Sequence, residues 1–515
     1  MAITNQKSVP LSHADKFFIG GNWQKPSSDS VIHVIDATSE ERAFSVAEAQ
    51  AADMDAAVAA AREAFDRGPW PRMTHAERAG YVRALAAELR ARSEDVAQVW
   101  PRESGTIYSI AGAAAGQAAG TFEYYAGLAG TFAFEQPMPS TVGEFGLLVR
   151  EPVGVVGAII PWNVPLGLVS IAIPPALIAG CTVILKSSPE APGEGLIIAE
   201  VAEAVGLPPG VLNIVTADRE VSELLVRDPR VDKIIFTGST ATGRRIGSLC
   251  GERIARCTLE LGGKSAALIL ADADIAMAAR TLAAVELPMT GQMCSSLTRI
   301  VVPRARHDEF VDALCSSFSS VRVGDPYHAT TQMGPLASKR QRDRVESYIS
   351  KGVAEGAVLA TGGGRPKHLD RGWFVEPTVF GNVDNRSTIA QEEIFGPVLS
   401  VIPADDEEQA IDIANDTIYG LNAAVFTNDV DHARRVAGRL QSGTVGQNGF
   451  KTDYSIAFGG FKQSGIGREG GVEGLLSFLE TKTVILDGKP VGYHDWVQPP
   501  GGPDISMLRS IRAQD

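Results

Sequence analysis

Cysteine is scarce in this chain, and this and other absences narrow the kinds of protein it can be. Only five of the 515 residues are cysteines. Their odd number and wide spacing predict a reduced, cytoplasmic protein rather than a disulfide framework. A basic surplus is also absent, because the formal net charge is −14. That balance disfavours nucleic acid and anionic membranes as partners, since both select basic surfaces.

Several other signals are missing. The N-terminus has no apolar signal core, and no histidine, cysteine and carboxylate cluster has metal-site spacing, so we expect neither secretion nor a bound metal. The Gly-x-Ser-x-Gly elbow of serine hydrolases is absent. Residues 152–185 contain no Asp, Glu, Lys or Arg, but five prolines break this stretch. Buried strands and a buried helix are therefore expected there rather than a membrane span.

Length and pattern predict two or three domains, because one ordinary core does not grow to this size. The first 50 residues resemble short strands and turns. Helices are predicted over 53–66, capped by Asp53, and over 75–99. The alanine- and glycine-rich segment 111–120 is predicted to be part of a closely packed helix.

Beyond residue 152, short apolar runs alternate with helices, which indicates parallel sheets. Buried strands are predicted at 153–160, 182–185, 211–215 and 233–236. The intervening helices are expected over 190–205 and 240–250. A second series starts with strands at 265–270 and 298–302, continues to about residue 450, and predicts a second α/β domain.

Two short segments contain the best candidates for covalent chemistry. Cys294 follows Gly291-Gln292-Met293, and Glu260 lies within Leu259-Glu260-Leu261-Gly262-Gly263-Lys264. A thiolate attacks carbonyl carbon, and a carboxylate can activate the water that releases the product. The domain boundary near residue 262 falls between them, so an interdomain cleft could hold both. Each also has an inert interpretation, Cys294 as an apolar filler and Glu260 as a solvated charge at a strand end.

Three more residues occupy positions where α/β proteins bind nucleotides or oxyanions. Lys186 ends a strand, and Ser239 begins a helix whose free N–H groups favour a phosphate. Asn163 offers an amide that can donate to an alkoxide. Each has an ordinary alternative: Lys186 could be an exposed lysine, Ser239 a helix cap and Asn163 a turn residue. A Gly-x-Gly-x-x-Gly match at 465–470 lacks a preceding strand and is not interpreted as a dinucleotide loop.

Seven motifs in a fixed order together resemble the aldehyde dehydrogenase superfamily over nearly the whole chain. The motifs are Pro161-Trp162-Asn163, Lys186, Phe236-Thr237-Gly238-Ser239-Thr240, Leu259-Glu260-Leu261-Gly262-Gly263-Lys264, Gly291-Gln292-Met293-Cys294, Glu392-Glu393-Ile394-Phe395-Gly396-Pro397 and Phe458-Gly459-Gly460-Phe461-Lys462-Gln463-Ser464-Gly465. The resemblance implies oxidation of an aldehyde to the acid, with hydride transfer to NAD or NADP. Cys294 would be the thiolate nucleophile that carries a thiohemiacetal and then a thioester. Asn163 and the Cys294 N–H would hold the oxyanion, and Glu260 would activate the hydrolytic water.

The resemblance also implies a cofactor site and a substrate pocket. Lys186 would bind the adenosine ribose, Ser239 the pyrophosphate and Glu393 the nicotinamide ribose. The predicted cofactor set is Ile159, Pro161, Trp162, Lys186, Gly238, Ser239, Leu261, Glu393 and Phe395. The predicted pocket set is Val164, Gly167, Leu168, Ile171, Met293, Ser295 and Phe458. Small aliphatic side chains after Asn163, with no Arg or Lys in that helix, predict a bulky apolar or aromatic aldehyde.

NAD is the favoured cofactor, and one departure from the family leaves NADP open. Members that prefer NAD usually carry a glutamate three residues after the lysine, where its carboxylate would repel a 2′-phosphate. Here that position is Pro189, and Glu190 comes one residue later. Arg219, where glycines are usual, is compatible with contact to a 2′-phosphate or with a surface position.

By the same resemblance the fold is α/β with three parts. Residues 1–134 and 152–262 would form a Rossmann-type cofactor domain, and 263–473 an α/β catalytic domain. Residues 135–151 and 474–497 would form a small β oligomerisation element, followed by a tail, 498–515. An isolated strand at 481–486 would thereby find a partner, and the enzyme would be a homodimer or homotetramer.

Two alternatives stay open. A CoA-acylating aldehyde dehydrogenase would share the fold and the thiol, but the intact Glu260 motif argues against it because transfer to CoA needs no hydrolytic base. A catalytically silent binding protein on the same scaffold is disfavoured by the presence of Cys294. The resemblance gives Glu469 a supporting role in the architecture rather than in the chemistry.

Overall fold

The computed structural model describes residues 9–495 and 497, so the predicted tail, 498–515, lies outside the described residues. The strands are β1 (Phe17–Ile19), β2 (Asn22–Gln24), β3 (Val31–Ile35), β4 (Arg42–Ala47), β5 (Glu135–Met138), β6 (Phe145–Pro152), β7 (Val155–Ile159), β8 (Thr182–Ser187), β9 (Leu212–Thr216), β10 (Lys233–Thr237), β11 (Arg256–Glu260), β12 (Ala266–Ile269), β13 (Arg299–Pro303), β14 (Val358–Thr361), β15 (Thr378–Gly381), β16 (Val398–Ala404), β17 (Asn422–Phe426), β18 (Thr444–Gln447), β19 (Gly465–Ile466) and β20 (Leu479–Leu486).

The helices alternate with these strands. They are α1 (Ala51–Asp66), α2 (His75–Ala91), α3 (Ser93–Ser104), α4 (Tyr108–Leu128), α5 (Pro165–Ala179), α6 (Gly193–Ala204), α7 (Arg219–Arg227), α8 (Thr240–Glu252), α9 (Ile275–Glu286), α10 (His307–Ser319), α11 (Lys339–Ala354), α12 (Thr388–Gln391), α13 (Glu407–Asn415), α14 (Val430–Ala437) and α15 (Gly471–Leu476).

The first sheet has the strand order β19-β11-β10-β7-β8-β9-β1-β2. Its central strands β11, β10, β7, β8 and β9 are parallel, and β19, β1 and β2 are antiparallel additions at the edges. The parallel strands follow the order of a Rossmann-type sheet, in which the first strand lies between the second and the fourth. All four buried strands predicted in this region are confirmed.

The second sheet has the order β14-β15-β16-β13-β12-β17-β18 and is parallel except for its edge strand β14. It contains the second predicted strand series, so the α/β class is confirmed. The precise domain limits stay a prediction.

A third, antiparallel sheet has the order β20-β6-β5. Strand β20 pairs with β6 along its whole length, from Leu479 opposite Pro152 to Leu486 opposite Phe145. The predicted isolated strand therefore has its partner within this chain, in the hairpin that the family resemblance implied. The outer edge of β20 pairs with no other described strand.

The uncharged stretch folds into β7, α5 and β8, as expected. Helix α5 is buried along nearly its whole length between the first sheet and the helices α2 and α4. Across residues 9–495, no helix combines the length and the apolar character needed to cross a bilayer. Burial in the protein core thus accounts for the missing charge.

Two details of the helix prediction are wrong. The helix predicted over 75–99 is broken at Arg92, whose guanidinium donates to the carbonyl of Pro10 at 3.2 Å and to Glu200 at 2.7 Å. Asp53 is not the N-cap of α1 but the third residue of the helix. Its carboxylate accepts from the Gln50 N–H at 2.8 Å and so completes a capping box. Both corrections come from contacts that a local sequence window does not contain.

Candidate active site

Four parallel strands of the first sheet end side by side, and each end leads to a predicted site residue. In spatial order, β8, β7, β10 and β11 lead to Lys186, Asn163, Ser239 and Glu260. The carboxyl ends of parallel strands share one edge, so these residues lie along the same side of the sheet. The chain order reverses between β7 and β10, and open α/β sheets bind nucleotides at such a switch point.

The loop that carries Cys294 connects α9 to β13 and packs directly on the turn after Glu260. A methyl group on Gly263 would lie 2.2 Å from the carbonyl oxygen of Cys294. Gly291 has a φ of +68°, and a methyl group there would lie 2.1 Å from the carbonyl oxygen of Gly396. Only glycine permits both approaches, so Gly263 brings the cysteine loop against the turn after β11, and Gly291 brings it against the segment before β16.

Side chains on either side of the cysteine fix the loop. The Leu297 N–H donates to the Glu286 carboxylate at 2.8 Å in a buried position. The Gln292 carboxamide donates to the carbonyl of Ser104 at 3.2 Å and accepts from the N–H of Ala337 at 2.9 Å. Buried hydrogen bonds of this kind restrict movement of the segment between them. The thiol therefore has a defined position.

Asn163 reaches from the end of β7 to the same loop. Its Nδ2 donates to the carbonyl of Gln292 at 3.0 Å, and its own carbonyl accepts from Trp100 Nε1 at 3.1 Å. A carboxamide nitrogen has two N–H groups. The bond to Gln292 therefore leaves Asn163 a second donor within two residues of Cys294, where an oxyanion would form.

The surroundings of the Cys294 thiol raise its pKa. Burial raises its pKa to about 12, and the Glu393 and Glu260 carboxyls add to that rise, while a hydrogen bond with the Ser295 hydroxyl opposes it. The thiolate role of Cys294 stays a prediction, and two neighbouring carboxyls disfavour the thiolate in the protein without ligands. The thiol must lose its proton before the sulfur can attack.

Glu260 is a carboxyl near Cys294 whose oxygens have unused hydrogen-bonding capacity. Its side chain is 2% exposed, and neither carboxyl oxygen has a hydrogen-bond partner among the described residues. Burial raises the pKa of Glu260 well above its usual range, the Glu469 carboxyl raises it further, and Arg468 opposes both. An orphaned carboxyl in a folded protein is costly and marks a place for a substrate proton or water.

The predicted ribose site combines a buried lysine with carboxylates. Burial lowers the pKa of Lys186 to about 8, while the carboxylates of Glu190 and Asp218 oppose that fall. Glu190 accepts from the Arg340 guanidinium at 2.8 Å, and Asp218 accepts from the Val221 N–H at 3.0 Å as the cap of α7. The carboxylate missing at position 189 is thus replaced by two others near the lysine.

The predicted phosphate site lies at the start of α8. Ser239 is the exposed cap of this helix, and its hydroxyl accepts from the Thr242 N–H at 3.3 Å. The Gly238 N–H donates to the carbonyl of Glu260 at 2.9 Å, which joins this site to the end of β11. Leu261 packs against Gly243 of α8. Ile159, at the end of β7, lies opposite Lys186 and forms part of the sheet core beneath the site.

Glu393 and Phe395 face this edge from the second sheet. The Gly263 N–H donates to Glu393 Oε1 at 3.1 Å, and burial raises the pKa of Glu393 to about 7. The Phe395 ring meets the Trp162 ring edge-on, with centroids 5.4 Å apart. Pro161 precedes this tryptophan in the loop after β7 and is half-buried. Residues from both halves of the chain thus meet across the cleft.

The predicted pocket residues fall into two groups. Val164 and Met293 pack against an apolar cluster that includes Trp100 and Met289, and Met293 is the chain neighbour of Cys294. Gly167 lies against Val164, where a methyl group on the glycine would come within 2.8 Å.

The remaining pocket residues lie in α5 and beside the thiol. Leu168 is partly buried against the core of the first sheet, and Ile171 is buried within α5. Ser295 is buried and hydrogen-bonds with the cysteine, as above. Phe458 is buried, and its ring centroid lies 5.5 Å from that of Tyr454.

Sequence reasoning missed Tyr454, and it gave Glu469 only a supporting role in the architecture. Burial raises the pKa of Tyr454, and the neighbouring Cys294, Glu469 and Glu260 raise it further, so this ring lies among the reacting groups. Burial raises the pKa of Glu469 to about 8, against the opposing Lys233. The position of Tyr454 just before the Phe458 motif was the only available signal. The described residues contain no group of three metal-ligating side chains.

Comparison with known proteins gives consistent matches over nearly the whole chain. The sequence model described as the aldehyde dehydrogenase family matches residues 23–484. A geranial dehydrogenase of Castellaniella defragrans is 45% identical over 472 residues, which cover 92% of this chain and 98% of that protein. The crystal structure of a Mycobacterium tuberculosis aldehyde dehydrogenase complexed with NAD+ has a TM-score of 0.90 at 46% identity, covering 94% of this chain and 99% of that one.

A second solved structure is similarly close. It is a mutant of aldehyde dehydrogenase C from Pseudomonas syringae, complexed with NAD+ and octanal, with a TM-score of 0.90 at 38% identity. The alignment covers 94% of this chain and all of that one.

Proposed function

Since this chain belongs to the aldehyde dehydrogenase family and is an enzyme that oxidises aldehydes to acids, we propose that it does so by hydrolysis of a thioester on Cys294. The observation that carries this proposal is the buried Glu260 carboxyl beside the thiol, with no hydrogen-bond partner among residues 9–495. A buried carboxyl with only a structural role would have hydrogen-bond partners. A buried carboxyl without partners is suited to accept a proton during the reaction.

The first step is attack of the sulfur on the aldehyde carbonyl. The Cys294 thiol loses its proton to solvent, because only the thiolate is a strong nucleophile. A carbon–sulfur bond forms, and the carbonyl oxygen becomes an alkoxide. The free N–H of Asn163 and the Cys294 N–H stabilise this charge where water is largely excluded.

The second step is oxidation and hydrolysis. The thiohemiacetal loses a hydride, for which bound NAD supplies the acceptor, and the thioester is left on Cys294. Glu260 then takes a proton from water, which attacks the thioester carbon and releases the acid. The Glu260 carboxyl thus acts as the general base of hydrolysis, in a buried position where burial and the Glu469 carboxyl raise its pKa above the usual range.

The donor set fits NAD. A buried ammonium, a helix-capping hydroxyl and the half-buried Glu393 would bind the adenosine ribose, the pyrophosphate and the nicotinamide ribose. The two similar solved structures contain NAD+. The carboxylates of Glu190 and Asp218 near Lys186 would repel a 2′-phosphate, which supports NAD over NADP. Asp218→Asn keeps a capping side chain, so it should raise kcat/KM for NADP relative to NAD without loss of stability.

We assign a bulky apolar aldehyde as the substrate. Met293, which precedes Cys294 in the chain, packs with Val164 against an apolar cluster that includes Met289, and α5 contains no charged residue. Such apolar surroundings have no partner for a carboxylate substrate. The name of the 45% identical geranial dehydrogenase supports a terpenoid or similarly apolar aldehyde. Comparison of kcat/KM for geranial, benzaldehyde, acetaldehyde and succinic semialdehyde tests the assignment, and a preference for succinic semialdehyde would contradict it.

The oligomerisation element supports a homo-oligomer. Strand β20 leaves an open edge, and Ile485 on it is 51% exposed. An exposed edge of this length invites pairing with a second copy. Light scattering of the purified protein should give a dimer or tetramer, and a monomer would contradict this assignment.

The hydrolytic reaction is tested by omitting CoA. Aldehyde and NAD alone should give equal amounts of acid and reduced cofactor. Cys294→Ala should abolish both products, whereas Cys315→Ala, a half-buried thiol on α10, should leave them unchanged. A requirement for CoA would favour the acylating alternative, and absence of any reaction with a broad aldehyde panel would favour a silent binding protein.

A further inference from the structure

An ion pair joins the two halves of the chain beside the predicted ribose site. The Arg340 guanidinium donates from Nη2 to Glu190 Oε1 at 2.8 Å. Glu190 follows β8 of the first sheet, whereas Arg340 is the second residue of α11, which packs on strands β15 and β16 of the second sheet. The pair therefore crosses between the two sheets close to the strand end that carries Lys186.

A tight turn keeps Glu190 near Lys186. Strand β8 ends at Ser187, and the Ala191 N–H donates to the carbonyl of Ser188 at 3.2 Å, which closes the turn that follows. The Ser188 hydroxyl donates to Glu190 Oε2 at 2.5 Å. One oxygen of Glu190 thus binds the turn and the other binds the guanidinium. The carboxylate is held at the strand end where Lys186 would meet the adenosine ribose.

The first turn of α11 gives Arg340 a fixed base and an exposed tip. Ser338 caps this helix by accepting from the Gln341 N–H at 3.1 Å, and Gln341 Nε2 donates to the carbonyl of Phe395 at 2.7 Å. The Arg340 side chain is 78% exposed. An exposed ion pair contributes little free energy because water and salt screen it. An anionic ligand can therefore compete with Glu190 for the guanidinium.

Arg340 sets the charge around the predicted ribose site. Glu190 supplies one carboxylate, and Asp218, which follows the neighbouring strand β9, supplies another. With Lys186 and Arg340 as the two cations, the charges of the four groups cancel. Without Arg340 the site would have a net negative charge and would oppose a 2′-phosphate more strongly. A guanidinium also suits a phosphate, because its planar N–H groups can bind two oxygens at once.

Arg219 is the other arginine that could meet a 2′-phosphate. It is the first residue of α7 and is exposed, and its side chain makes no hydrogen bond with the described residues. Arg340, in contrast, is bound to the carboxylate that lies next to the strand end. The structure thus gives Arg340, and not Arg219, a defined position beside the ribose site.

We propose that Arg340 is a specificity-determining residue of the cofactor site, which neutralises Glu190, offers its guanidinium to a 2′-phosphate and so weakens the exclusion of NADP. This inference rests on the proposed binding of NAD at Lys186. On NADP binding the guanidinium would exchange Glu190 for the phosphate, and Glu190 would keep its bond from Ser188. The preference for NAD is then moderate and can be changed in either direction by substitutions in this pair.

The test is titration of the full-length protein with NADH and with NADPH, followed by cofactor fluorescence in the absence of aldehyde. Arg340→Gln should weaken NADPH binding by about tenfold, because a phosphate contact is lost. Its effect on NADH binding should stay below about threefold, since an exposed ion pair contributes little. Glu190→Gln releases the guanidinium and should strengthen NADPH binding. An ion pair with only a structural role would instead alter the binding of both cofactors equally.

A matched control lies on the same helix. Arg365 Nη2 donates to Glu346 of α11 at 2.8 Å, and Arg365→Gln should leave both affinities unchanged. Equal weakening of NADH and NADPH binding by Arg340→Gln would overturn the proposal. Loss of NADPH binding in Arg219→Gln but not in Arg340→Gln would also overturn it.

The same titrations separate this proposal from the proposed function. A wild-type protein that binds neither NADH nor NADPH would remove the cofactor site and the role of Arg340 with it. Normal NADH binding, combined with no NADPH binding by either the wild type or Glu190→Gln, would remove only the role of Arg340.

Discussion

Two pairs of buried glutamates in this enzyme show how burial alone differs from function. Glu260 and Glu469 lie beside Cys294, and Glu103 and Glu194 lie beneath the start of α5. Burial raises the pKa of all four carboxyls, so a raised pKa does not separate the pairs. Hydrogen bonding does separate them.

Glu103 and Glu194 each accept a hydrogen bond from a backbone N–H group. Glu103 accepts from the Gly193 N–H at 2.8 Å, and Glu194 accepts from the Leu166 N–H at 2.7 Å. These bonds satisfy N–H groups in the first turns of α6 and α5, which have no partner within their own helices. Glu260 has no such bond. Glu103 and Glu194 each keep one oxygen without a partner, whereas both oxygens of Glu260 lack one among the described residues, and this difference supports the proposed role of Glu260.

The largest expected effect comes from exchanging each carboxyl for an amide. Glu260→Gln should lower steady-state kcat by about 10²–10⁴-fold, because it removes the base for hydrolysis. Glu194→Gln should leave kcat within a few-fold of wild type, since the carboxamide oxygen can still accept from Leu166. Steady-state assays of both variants with one aldehyde measure the difference. Equal losses in both would remove the distinction between the pairs.

The opposite order is expected for stability. Glu194→Ala leaves the Leu166 N–H buried without a partner and should lower the free energy of unfolding by about 1–3 kcal/mol. Glu260→Gln breaks no hydrogen bond, so its free energy of unfolding should equal or exceed that of wild type. Chemical denaturation at one fixed protein concentration checks both. Marked destabilisation by Glu260→Gln would show that its carboxyl has a structural partner.

A smaller effect is expected within the catalytic pair. The Glu469 carboxyl raises the pKa of Glu260, so Glu469→Gln should lower that pKa. The base would then be ionised at lower pH, and the acidic limb of the kcat profile should move to lower pH. A pH profile of kcat for the variant measures this shift. Movement toward higher pH would contradict the like-charge interaction.

The last prediction concerns the slope of stability against pH. Burial raises the pKa of Glu194 from 4.5 to about 8. Between these values the folded protein retains a proton that the unfolded chain has lost, so this residue makes stability fall as pH rises. The contribution is at most about 1.4 kcal/mol per pH unit. Denaturation of wild type and Glu194→Gln across this range should show a flatter dependence in the variant, and parallel curves would refute the assignment.

The strand ends could be predicted from the sequence because their signals are local. Lys186, Ser239 and Glu260 follow apolar runs, and parallel topology places such ends together. Cys294 and Asn163 were identified by motif. The short G-x-G-x-x-G match was correctly set aside, since Gly465 and Ile466 form an edge strand against β11.

The rest depends on contacts between distant parts of the chain. Glu194 meets Leu166 across 28 positions and Asn163 meets Gln292 across 129, and no periodicity records such pairs. The raised pKa of Cys294 likewise follows from burial and from carboxyls that only the folded chain brings near. Similarly, Arg92 ends a helix through partners elsewhere in the chain. Local pattern thus predicts which elements form, and long-range burial decides how their side chains behave.

The most direct test of the central claim is a rapid-quench measurement on Glu260→Gln with an apolar aldehyde and NAD. The account predicts a burst of one reduced cofactor per active site, followed by slow turnover, and an acyl group on the Cys294 peptide in the quenched protein. A variant with wild-type steady turnover, or a burst with no acyl group on Cys294, would contradict the assignment of Glu260 as the base that releases the acid.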